Sequence, residues 1–161
     1  MDVQKILTPI LELENRMSDL YTWYSEVFSE DAEVASLFYR MARDEKSHAA
    51  LVQYERRILR QQKGGAIDVG LTLKELQETA CELGVLLTMK TPPSLQEALG
   101  TAYRLETSAA ENHLRDATVD ILPGLGKLLA NLGQEDRKHV EGLKTLAAKR
   151  GVSLGGGEPI P

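Results

Sequence analysis

The 161-residue chain holds a single cysteine, Cys81, which excludes an intrachain disulfide and any four-thiolate zinc or iron–sulfur site. A metal held by these side chains must be held through nitrogen and oxygen. Basic charge is also short. Lys and Arg number 19 against 24 Asp and Glu, for a formal net charge of -5, so nucleic-acid phosphate is not the expected partner. The one basic group that stands out, Arg56, Arg57, Arg60 and Lys63, falls where a helix is expected to end and suits the negative end of its dipole. No apolar run approaches the roughly 18 residues a membrane helix needs. The opening Met1-Asp2-Val3-Gln4-Lys5 has no basic region followed by an apolar core. A composition 42% hydrophobic and 27% charged is that of an ordinary globular domain, and the length suits one core rather than two. The expectation is a cytoplasmic protein with no membrane or nucleic-acid partner.

What the sequence does have is helical periodicity. Val3, Leu7, Ile10, Met17, Tyr21, Tyr24 and Phe28 form one apolar stripe at steps of three, four and seven, with Glu14 in the remaining place. Pro9 either bends the first turns or marks the start of the regular helix, with Thr8 as cap. Ser29-Glu30-Asp31 is a short polar turn, so the next helix, reaching about Lys63, is an antiparallel neighbour. Its stripe is Val34, Phe38, Met41, Val52 and Leu59, and Glu45 and His48 occupy the next places in that series.

Gly64-Gly65 ends this helix, and residues 64 to 93 form a connection long enough to run the length of a bundle, with one short helix after the capping box Thr72–Glu75. Pro92-Pro93-Ser94 opens a third long helix with a second capping box, Ser94–Glu97. Its stripe is Leu95, Leu99, Ala102, Glu106, Ala109 and His113, ending near Thr118. Pro123-Gly124 breaks the chain. A fourth helix runs from about Leu125 to Arg150 with Leu125, Leu129, Leu132, Asp136, His139, Leu143 and Leu146 in register, and Gly151 stops it. The reading is an all-α antiparallel four-helix bundle over residues 1–150 with a long crossover between its second and third helices, and a flexible tail over 151–161.

Each bundle helix thus carries an acid on its apolar stripe near its own midpoint. Glu14 and Glu45 are equally distant from a point between Ser29 and Glu30, and Glu106 and Asp136 are equally distant from Ile121, beside the second break. Both acid pairs should therefore meet at one level. The halves also repeat: Glu14 precedes Glu45 by 31 residues and His48 by 34, while Glu106 precedes Asp136 by 30 and His139 by 33. An ionised carboxylate on a buried stripe costs several kcal/mol unless compensated. Four carboxylates are neutralised by two divalent cations, and each imidazole adds a nitrogen to one ion. Glu135, four residues before His139, is an alternative to Asp136, although the repeat aligns Asp136 with Glu45. Tyr21 and His113 each lie seven residues after a helix acid, on the same face. They read as core residues or as hydrogen-bond partners of a ligand on the facing helix, and His113 also as an extra ligand.

With these residues, the sequence resembles the ferritin-like di-iron carboxylate family over roughly residues 3 to 150. Within it, Glu14 with Tyr21 seven residues on, followed by Glu45-Lys46-Ser47-His48, most resembles the bundle domain of rubrerythrin. The resemblance implies iron ligands at Glu14, Glu45, His48, Glu106 and His139, and a long crossover matching residues 64 to 93. The rubredoxin module that accompanies such bundles needs four cysteines and is absent. Asp136 departs from the family, which has glutamate there, one methylene longer. The function implied is binding of two irons and reduction of peroxide, or reaction with dioxygen, with a separate rubredoxin-like electron donor, in a homodimer. Three rival readings are a ferroxidase or iron-storage cage, a zinc or manganese bundle, and a structural bundle whose polar stripe pairs with itself.

Overall fold

The computed structural model describes residues 4–59, 70–117 and 123–155. Among these the chain is helical and forms α1 (Gln4–Val27), α2 (Ala32–Leu59), α3 (Gly70–Met89), α4 (Leu95–Ala117) and α5 (Pro123–Arg150). Helices α1 and α2 pack as one hairpin, α4 and α5 as the other, and α2 lies along α5. No described helix is long and apolar enough to cross a membrane.

The first turn is short because it is capped at once. The Asp31 carbonyl accepts from Ala35 N at 2.8 Å and its carboxylate accepts from Val34 N at 3.3 Å, satisfying donors that a helix start leaves open. The same turn is tied to the far end of α5, where Lys149 donates to Glu33 and Arg150 to Asp31. These pairs are solvent-exposed and contribute little energy, but they place the start of α2 level with the end of α5. Inside this end, Phe38 stacks on Tyr21 and Phe28 and meets Tyr24 edge-on. The expected capping box at Ser94 is formed, with Glu97 N donating to Ser94 Oγ and Ser94 N to Glu97 Oε2.

Helix α1 runs through Pro9 from Gln4, so the regular helix does not start at Pro9 with Thr8 as its cap; only one intrahelical donor is lost and the stripe on either side is continuous. Pro123 opens α5, slightly before the expected start at Leu125, at a position where proline's fixed φ and missing N–H cost nothing. The short helix in the crossover is instead α3, 20 residues long. It already runs at Thr72, so that residue does not cap it.

Leu76, Ala80 and Leu83 of α3 are buried against the outer side of α1. There the Arg16 guanidinium reaches the Ala80 carbonyl at 2.6 Å. A Cβ on Gly84 would sit 2.1 Å from the tip of that guanidinium, so a larger residue there would have to shift the flexible Arg16 side chain. At the end of α5, Gly151 has φ 64; Gly151 N and Val152 N bond back to Ala148 O and Ala147 O, a left-handed helix stop. Val152 and Leu154 pack on the core, and the tail beyond Gly155 lies outside the described residues.

Candidate metal centre

The stripe acids converge as their spacing requires. Glu14 on α1, Glu45 and His48 on α2, Glu106 on α4 and Asp136 and His139 on α5 all point into the bundle, with every acid 1% exposed or less. They form two adjoining groups, Glu14, Glu45 and His48 in one and Glu45, Glu106, Asp136 and His139 in the other. Within each group one donor atom per residue lies within 4.8 Å of the rest.

Glu45 joins the groups. Its Oε2 is 3.2 Å from His48 Nδ1 and its Oε1 is 3.1 Å from His139 Nδ1. His48 Nδ1 also has Glu14 Oε2 at 3.4 Å and Asp136 Oδ1 at 4.0 Å, and His139 Nδ1 has Glu106 Oε2 at 3.2 Å. Both imidazoles therefore turn the same nitrogen inward. The shorter Asp136 still reaches the group, because its place on α5 faces the centre. Glu135 turns outward to Lys138.

Four acids in so dry a space demand positive charge. Burial opposes charge on His48, but the hydrogen bonds and charges of Glu14 and Glu45 outweigh it and push the imidazole up to about 11. Burial is likewise outweighed at His139 by Glu106 and Glu45, which push it up to about 12. At Glu106 burial dominates and raises the carboxyl, against the pull of His139. Two imidazoles can supply at most two positive charges to four buried carboxyl groups. Glu45 Oε1 is buried yet makes no hydrogen bond of proper geometry, an arrangement that costs free energy in a centre with only protons to supply charge. All-oxygen-and-imidazole donors in two groups sharing a carboxylate fit a pair of divalent cations.

The raised imidazoles give the metal-free protein a defined pH response. A histidine whose folded pKa exceeds its unfolded value of about 6.5 contributes stability that is complete below 6.5 and lost as pH climbs to the folded value. The raised Glu106 acts in the same direction. Thermal melts with chelator are expected to fall steadily from pH 6.5 to 9.5. Divalent metal needs neutral imidazoles, so its added stabilisation grows over the same interval. A chelated midpoint that stays flat or rises contradicts the charge assignment.

Tyr21, fully buried, donates its hydroxyl to Glu106 Oε1 at 2.6 Å across the bundle, and burial first, then Glu106, raises its own pKa well above 10. His113 stands on α4, but the described side chains of that helix end at Ala109, so His113 lies outside them. Cys81 is exposed and lines an open groove between α1 and α3 with Arg16, Val85 and Met89.

One residue of the site was not foreseen. Asp44, half-exposed, places Oδ2 3.2 Å from the outward Nε2 of His139. It sits off the apolar stripe of its own helix, and only the approach of α5 reveals the contact.

A family model described as Rubrerythrin matches residues 5–147 of this chain. No curated protein and no solved structure matches it.

Proposed function

This chain belongs to the rubrerythrin family, and on that premise we propose that it holds two iron ions side by side and reduces hydrogen peroxide to water, with electrons from a separate donor. The observation that carries the reading is Glu45, whose two oxygens face two imidazoles in two adjoining acid groups. That is the disposition of a carboxylate shared between two cations.

In this reading Glu14, Glu45 and His48 would hold one ion, Glu45, Glu106, Asp136 and His139 would hold the other, and the four acids would balance the charge of a ferrous pair. Iron supplies the two electrons that convert hydrogen peroxide and two protons into two waters. The chain contributes position and dryness. Tyr21 restrains Glu106 by the hydrogen bond to Oε1, leaving Oε2 turned toward His139. Leu105, Leu132 and Leu143 belong to the hydrophobic core, each at most 2% exposed, and the acids themselves are 1% exposed or less, so the centre is dry.

Anaerobic ferrous-loaded protein mixed in a stopped-flow instrument with peroxide or dioxygen, at equal concentration, tests the proposal. The near-ultraviolet absorbance of the oxidised centre is expected to appear severalfold faster with peroxide. Faster oxidation by dioxygen, with growth of a mineral core in large particles, favours the storage reading instead.

A further inference from the structure

The two halves of the centre are not equally supported, and the difference lies outside the donor groups. On α2, Asp44 precedes Glu45; on α5, Glu135 precedes Asp136, so the pseudo-repeat makes Asp44 and Glu135 counterparts. Each could reach across the α2–α5 seam to the histidine of the other half. Only one does. Asp44 accepts from His139 Nε2 at 3.2 Å, whereas Glu135 pairs with Lys138 on its own helix and stays 43% exposed. Among the described residues, nothing is bonded to Nε2 of His48.

A neutral imidazole carries one proton. If Nδ1 binds an ion, that proton is on Nε2, and a carboxylate facing Nε2 fixes the tautomer, holds the ring plane and makes Nδ1 a better donor. His139 has this support, and among the described residues His48 has no counterpart to it. The His139 half also counts three acids to the other's two, with Glu106 restrained by Tyr21.

We infer that Asp44 is a positioning residue that makes the His139 half the tighter of the two, so that this half fills first. The inference rests on the metal reading above. It places the stronger position with Asp136 despite the shorter side chain, because ring orientation and donor count outweigh one methylene.

The test uses cobalt(II) alone, titrated into the metal-free full chain and followed by its visible bands. The parent is expected to bind in two resolved steps. Asp44→Asn keeps the shape but offers an amide in place of one carboxylate oxygen, and should weaken the first step about 10–100-fold. The second step and the metal-free melting temperature should hardly change. Asp44→Glu should recover part of the loss, and Glu135→Ala should leave both steps alone. In zinc-loaded, nitrogen-15-labelled protein the ring N–H of His139 should be slow to exchange in the parent and fast in Asp44→Asn, a change that a merely structural surface residue does not produce. An unchanged first step in Asp44→Asn, or an equal loss in both steps, overturns the inference while leaving the metal centre standing. A parent that binds no cobalt removes the metal reading itself.

Discussion

Glu45→Ala is expected to cost the protein both metal ions, where loss of any other acid costs mainly one. Its Oε2 and Oε1 lie against different histidines, 3.2 and 3.1 Å from their inward nitrogens, and it is the one residue common to both donor groups. Removing it strips a charge and a donor from each half and leaves the remaining pair of ions to repel across the gap. The loss should exceed the ~10–100-fold that follows from disturbing an outer partner, in both steps of an anaerobic titration. Glu14→Ala, by contrast, should spare the His139 half, since Glu14 belongs to the His48 group and not to the His139 group. A Glu45→Ala protein that retains one ion at parental affinity contradicts the shared-carboxylate geometry.

The second large effect is on stability, and its sign separates a functional centre from a polar scaffold. Replacing Glu45 and His48 together by Leu removes a buried charge pair at fully enclosed positions and extends the apolar stripe from Met41 to Val52. Substitution of buried ion pairs by packed apolar groups is often neutral or stabilising by ~1–4 kcal/mol. The metal-free double variant should therefore melt at or above the metal-free parent. The parent should gain on adding ferrous iron, by about 2.7 kcal/mol when free metal is a hundred times the dissociation constant, and the variant should gain nothing. A network kept for structure alone predicts the reverse: a variant destabilised by a few kcal/mol and a parent indifferent to metal.

The centre was largely legible in the sequence because helices convert spacing into direction. Glu14, Glu45, Glu106 and Asp136 could be placed on inward faces, and at one height, from stripe position and distance to the turns alone. Asp136 over Glu135 followed from the same arithmetic, and the side chains lie accordingly, one buried and one turned to Lys138. Asp44 was not legible, because its contact depends on how closely α5 approaches the edge of α2, which no single helix encodes. Length failed in the crossover, where Gly70 opens a helix of 20 residues whose apolar pattern is weak and whose seat on α1 depends on tertiary contacts such as that of Arg16 with the Ala80 carbonyl.

The central claim is that these six side chains hold a pair of ions, and counting ions tests it most directly. Metal-free protein titrated anaerobically with ferrous iron, then dialysed and analysed for metal, should retain about two irons per chain, as the family's ligand pattern requires. Retention of one or none in the intact chain would contradict the account.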